Sequence, residues 1–204
     1  MAYPSRTDRA AIVAAAIEVL NDRGLEGVSL RAIADRLGIR QPALYHHFAN
    51  KSELLDAVAG EVLDRHHTAR FPEEGEAWDA FLARNARSMR GAMLAVRDGA
   101  RLIASTGGRA PSMDVTITQV EALERGGFAT EDAILAFIAV SRYTVGSAIE
   151  QQTARDGGEI VMDPGSLDDR ARRVIAGAGR VMALGQDHEF EAGLSALIRG
   201  LRPA

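Results

Sequence analysis

A chain of 204 residues with 47% hydrophobic and 25% charged side chains buries a core without staples, which excludes a miniprotein, a disordered tract and a fibrous repeat. Cysteine is absent, so disulfides, thiolate metal sites and cysteine nucleophiles are excluded together. The formal net charge is −4, yet residues 1–51 hold seven basic side chains against five acidic ones, which leaves a mildly basic head on an acidic body.

The chain reads as all-α. Ile12, Val13, Ala16, Ile17 and Leu20 fall on one face of a helix from about Arg6 to Arg23, and Gly24 is expected to end it. Ser29 is a natural N-cap for a short second helix with Leu30, Ile33, Ala34 and Leu37 inward, stopped by Gly38. Gln41 and Pro42 open a third helix whose apolar side is Leu44, Tyr45 and Phe48. Asn50 and Glu53 have capping-box spacing and start a long helix through Leu54, Val58 and Val62 to about His67.

Trp78, Phe81 and Leu82 begin another amphipathic helix. Gly107, Gly108 and Pro111 mark a loop, Gly126 and Gly127 a second, and residues 156–166 a third. From Thr130 to about Arg155 runs the most apolar helix, expected to be buried on several sides and to need a partner surface in so small a chain. A last helix spans about Glu189 to Arg199. The longest continuous apolar run, Ala133 to Val140, is far shorter than the roughly 20 residues that cross a bilayer. The segment MAYPSRTDRA has no apolar stretch leading to a cleavage site. No membrane partner is expected, and a cytoplasmic location is.

Three short helices, the second and third joined by LGIR, form a helix-turn-helix arrangement in residues 6–48. Such a module needs a short exposed helix whose first residues reach base edges, with cations and N–H donors around it for phosphates. Gln41 can pair in bidentate fashion with adenine and Arg31 with guanine. Tyr45, His47 and Lys51 stand where backbone contacts are expected, and Ser29, Arg40, Pro42 and His46 border the same surface. Residues 1–51 are expected to be the DNA-binding domain and residues 52–204 a ligand-binding and dimerisation domain, with helix 52–67 connecting them.

The stretch Val28 to Leu54, VSLRAIADRLGIRQPALYHHFANKSEL, resembles the helix-turn-helix of tetracycline-repressor-type transcriptional regulators. The likeness continues through RHH at 65–67, GEAWDAFLARNA at 75–86, RDGARL at 97–102, ERGGF at 124–128, AVSRYTVGSAIEQQ at 139–152 and FEAGLSALIRGL at 190–201, which are similar to the tetracycline-repressor-like subgroup of that family. The resemblance implies a helical ligand domain whose last long helices pair with a second subunit in a four-helix bundle. It also implies a homodimer on a palindromic double-stranded DNA operator, released by a small-molecule effector.

By the same resemblance His67, Asn85, Thr106, Gln119 and Glu150 stand where the family has polar drug or metal-water contacts. Where the family has a magnesium-ligating histidine this sequence has Ile103, which has no lone pair to give a hard cation. Met89 replaces a phenylalanine, and Gly107 and Gly108 replace an arginine-proline pair. The expected pocket is therefore largely apolar, with Met89, Ile103, Ile134 and Phe137 as its lining and Thr116 and Ser141 beside them. It is expected to take a hydrophobic, polycyclic or aromatic ligand with no metal and no cofactor.

Enzyme signatures are missing: there is no HExxH, GxSxG, Walker loop or strand-borne GxGxxG, and adjacent histidines on a helix diverge by about 100° and cannot share one ion. No catalytic residues are expected. A helical ligand-sequestering or partner-binding protein would tolerate loss of Arg31, Gln41 and Lys51, and all three are present. A nonspecific architectural DNA protein would lack the acidic body.

Overall fold

The structure is a computed structural model that describes residues 8–106, 112–154 and 168–203. Among the described residues the fold is helical with no strand: α1 (Arg9–Gly27), α2 (Leu30–Leu37), a 3-10 recognition helix (Gln41–His46), α3 (Lys51–His66), α4 (Trp78–Leu94), α5 (Gly99–Ser105), α6 (Met113–Glu124), α7 (Thr130–Ala154), α8 (Asp169–Met182) and α9 (Gln186–Gly200). The loops expected around Gly107, Gly108 and Pro111 and at 156–166 lie outside these residues.

The head follows its caps. Asp8 accepts from the Ala11 N–H at 2.7 Å, Ser29 from Ala32 at 3.1 Å, and Asn50 from Glu53 at 2.9 Å, while Glu53 reaches back to the Ala49 N–H at 2.8 Å. Two expectations are corrected. Gly24 bends α1 (φ 70°, ψ 177°) and one more turn follows to Gly27. The helix at Gln41–His46 is a 3-10 helix and not an α-helix, because six residues with proline in the first turn leave little length for i→i−4 bonding.

α7 is the centre of the body and packs against α4, α5, α6 and α9. Ala133, Ala136, Val140, Thr144 and Ala148 recur at helical spacing on its buried face. Thr130–Thr153 has the length and, at mean hydropathy 1.3, the composition of a membrane-crossing helix; here it is the core helix of the body. Its burial within one chain is one-sided, since Ile134, Leu135 and Ile138 remain exposed. Gln152 on its last turn accepts from the Ala100 N–H at 3.0 Å and donates to the Met93 and Val96 carbonyls at 3.1 and 2.9 Å, so one amide joins the end of α4 to the start of α5.

One apolar cluster runs from the head into the body, joining Ile12, Ile33, Leu44, Phe48 and Leu54 to Met93, Leu102, Ile103 and Ala148. Smaller clusters form around Phe81, Leu123 and Phe128 and around Leu82, Phe190 and Leu194. Gly126 lies against Trp78, where a Cβ would meet the indole ring at 2.4 Å, so the expected turn also has a packing role. α8 has no buried residue, and α9 begins at Gln186, one turn earlier than its apolar pattern indicated.

At the α1 bend the Leu25 N–H donates to Asp98 Oδ2 at 2.8 Å, which fastens head to body. A Cβ on Gly24 would approach that oxygen to 2.8 Å, in a backbone region that is essentially glycine-only. Gly24→Ala is expected to destabilise the chain by about 1–3 kcal/mol, read from urea denaturation midpoints; an unchanged midpoint would show that this joint carries no stability.

Candidate functional site

The head presents its candidate contacts outward. Ser29, Arg31, Arg40, Pro42, His46 and Lys51 are exposed, Tyr45 is 52% exposed, and Gln41 and His47 are partly buried. Phe48 is buried, as its place in the aromatic run suggested. Gln41 Nε2 lies 3.4 Å from the Tyr45 hydroxyl, a weak bond that a base edge can replace. The Ser29 hydroxyl is committed to capping α2. Arg36 stays away from this surface, bridging Glu18 at 2.9 Å and Asp22 on α1.

One residue absent from the sequence reading holds the surface in place. The Arg9 guanidinium donates to the His47 carbonyl at 2.7 Å, pairs with Glu53 at 3.1 Å and sits 4.1 Å above the Phe48 ring. The Ala49 N–H and then Arg9 hold the Glu53 carboxyl below the usual carboxylate range. Arg9 meets these partners across about forty residues of sequence, and no local pattern signals it.

In the body a cavity of about 640 Å³ opens between α3, α4, α6 and α7, within the size range of small-molecule pockets. His67, Asn85, Met89, Gln119, Phe137 and Ser141 line it, so six of the eleven expected ligand contacts are brought together. Five stand elsewhere in this chain. Ile103 is buried in the main core; the Thr106 hydroxyl donates to the Leu102 and Ile103 carbonyls; the Thr116 hydroxyl turns to the Ser112 carbonyl; Ile134 and Glu150 lie on the exposed side of α7.

The polar groups of the wall converge on the segment just beyond α3. Asn85 donates to the Ala69 carbonyl at 2.9 Å and Gln119 to the Arg70 carbonyl at 2.9 Å. Ser88, which the sequence reading passed over, accepts from the Ala69 N–H at 3.0 Å and lies 3.0 Å from His67 Nδ1. The Ser88 hydroxyl donates to His67 Nδ1 when the ring proton is on Nε2 and accepts from Nδ1 when it is not. Burial, and then the field of Arg70, push the His67 pKa down to about 4, and the ring is neutral near pH 7.

The comparisons with known proteins agree with this geometry. The family described as "Bacterial regulatory proteins, tetR family" matches residues 12–58, and the one described as "Tetracyclin repressor-like, C-terminal domain" matches 71–204. The chain belongs to the TetR family. It is 41% identical to the tetracycline repressor protein class C of Escherichia coli over 201 residues, covering 97% of this chain and 91% of that protein. The crystal structure of TetR from Acinetobacter baumannii AYE superimposes with a TM-score of 0.81 at 38% identity, covering 95% of this chain and 96% of that one. TetR (class A) in complex with 5a,6-anhydrotetracycline and magnesium matches with a TM-score of 0.73 at 36% identity, covering 93% and 95%.

The residues of this TetR-family chain do not fit a directly ligated magnesium ion. Ile103 is 2% exposed in the core and has no lone pair.

His67 gives the fold a pH dependence of definite sign. Between pH 6.5 and about 4 the unfolded chain binds a proton that the folded ring refuses, so this contribution is complete above that window and is lost as the pH falls through it. His67→Gln is expected to flatten that part of the curve of Tm against pH. An unchanged slope in the variant would exclude the buried neutral ring as its source.

Proposed function

We propose that this chain is a homodimeric transcriptional repressor that leaves a palindromic operator when a small, largely apolar, polycyclic or aromatic effector enters the body cavity, with no obligatory magnesium. The observation that carries the reading is the continuity of the family match across an intact helix-turn-helix head and a cavity-bearing body. A relative crystallised with a polycyclic drug supports the ligand class. The exposed apolar residues Ile134, Leu135 and Ile138 on α7 support pairing of the last helices across a dimer. The two heads then read successive major grooves roughly 34–36 Å apart. We assign no catalytic step and place the protein with its DNA in the cytoplasm.

In this reading Arg31 and Gln41 read bases, while Arg40, Tyr45, His46, His47 and Lys51 hold phosphates, with Ser29 and Pro42 shaping the surface. His67, Asn85, Met89, Gln119, Phe137 and Ser141 contact the effector. α3 is the lever: Lys51 begins it in the head, Gly60 and Leu63 lie on the cavity wall, and the Ala69–Arg70 ties hold the segment beyond it. An effector that recruits the Asn85 and Gln119 amides competes with those ties and frees the end of α3. Release follows from the difference in its affinity for the two arrangements.

Fluorescence anisotropy of the dimer on labelled DNA from upstream of its own gene, against scrambled DNA at two salt concentrations, tests the reading. Salt-sensitive, saturable binding to the upstream fragment alone is expected. Arg31→Ala and Gln41→Ala should each lower operator affinity by about 1–3 kcal/mol and relax specificity at one base pair. Binding of both variants to operator and to scrambled DNA that is unchanged from the parent overturns the base-reading roles. In the same assay without effector, Asn85→Ala combined with Gln119→Ala is expected to weaken operator binding; undiminished affinity would detach the Ala69–Arg70 ties from the lever.

A further inference from the structure

The α3 end of the cavity carries a fixed cation. Arg70 lines the cavity, and its Nη1 lies 2.8 Å from Asp64 Oδ1. Its Nη2 is buried and has no hydrogen-bond partner. A guanidinium has five donors and no acceptor, and it does not give up its charge in a protein. Leaving a buried charged donor unpaired costs more than a neutral bond returns, so such a group implies an absent acceptor.

The surroundings say what that acceptor is. Asp64 is 53% exposed, so its compensation of Arg70 is screened by solvent. His67 lines the same cavity as a neutral ring, and with Ser88 donating to its Nδ1 the ring presents an Nε2–H donor. Arg142, an exposed residue of α7, also borders the cavity. Nearby Met89, Phe137 and Val140 supply apolar walls. Donors converge at one end, the net lining charge is positive inside an acidic body, and the remaining wall suits flat rings.

We infer that the effector is an aromatic acid whose anionic group, a carboxylate or an oxyanion of like geometry, docks on Arg70 with His67 as a second donor. The inference rests on the effector-pocket reading above and names its ligand class. Guanidinium and carboxylate match as planar groups and form the stronger, charge-assisted kind of hydrogen bond. Here a side chain of the protein supplies the positive charge for an acidic ligand.

The test uses two intrinsically fluorescent probes of equal shape, anthracene-9-carboxylate and anthracene-9-carboxamide, titrated into the full-length dimer near neutral pH with EDTA present. The carboxylate is expected to bind at least about tenfold more tightly than the amide, the range in which a charge-assisted bond exceeds a neutral one. Arg70→Gln should bring the two affinities within about twofold, with the amide affinity nearly unchanged. Asp64→Asn moves the charge balance the other way and should hold or raise the carboxylate preference, which separates loss of the cation from general damage to the pocket.

Equal affinities in the parent, a preference that survives Arg70→Gln, a preference that falls in Asp64→Asn, or no binding of either probe each overturns the inference. Operator anisotropy on the same preparations separates the two levels. A dimer that binds its operator without discriminating the probes loses the acid subsite and keeps the repressor reading; failure to bind operator removes the repressor reading itself.

Discussion

The orientation of the DNA head depends on one carboxylate. Asp98 sits between α4 and α5 at φ 55°, the one positive value among the described non-glycine residues, and its Oδ2 takes the Leu25 N–H at the Gly24 bend. Neighbouring links are weaker. Arg101–Glu26 is exposed on both sides, and such pairs contribute little in water. The Asp98 side chain is 19% exposed and accepts from a backbone donor, the charge-assisted case. The Arg97 N–H to Asn21 at 3.0 Å sets the same turn against α1. With the continuous core beneath it, this joint fixes the head against the body.

The second constraint lies at the other end of α3. Ser88, Asn85 and Gln119 hold the N–H and carbonyl of Ala69 and the carbonyl of Arg70, and the same amides face the cavity. A neutral hydrogen bond exchanged for another of the same kind is close to energetically even. On the proposed reading the amides set where an effector sits and what it releases, and they contribute little of the energy that drives release.

Much of this was legible because it is local. Ser29, Asn50 and Gly38 announce caps through positions three or four residues away, and Tyr45 and Phe48 separate outside from inside by helical phase. What escaped is long-range. Gly24 reads as a helix end until Asp98, more than seventy residues on, takes the N–H at its bend. Ile103 stands at a pocket position by resemblance, but an isoleucine on a seven-residue helix gains more in the core than on a wall. Thr106 and Thr116 turn their hydroxyls to their own helices, the usual competitor for such side chains. Arg9 and Ser88 act through partners that only the fold brings near. α8 escaped although Ala171, Val174, Ile175, Ala178 and Met182 recur at helical spacing, a stripe that has no buried residue within one chain.

On the proposed metal-independent reading, the pocket obtains its switching energy elsewhere. Driving a two-state equilibrium from 1:99 to 99:1 requires about 5.5 kcal/mol of differential binding. At about 25 cal/mol per Å² that corresponds to roughly 220 Å² more apolar surface buried in the released arrangement than in the DNA-bound one. A cavity of about 640 Å³ lined by Met89, Phe137 and Val140 offers surface on that scale only if its walls close further around the ligand. The wall able to move is the one that ends in the Ala69–Arg70 ties, since α4 and α7 are fixed to each other through Arg90, which is buried, stacked 4.6 Å over Phe190 on α9 and bonded to Gln151 on α7. On the proposed reading, closure of α3 on the ligand and rotation of the head are one motion, and the energy of apolar burial is spent on the helix that the head rides on.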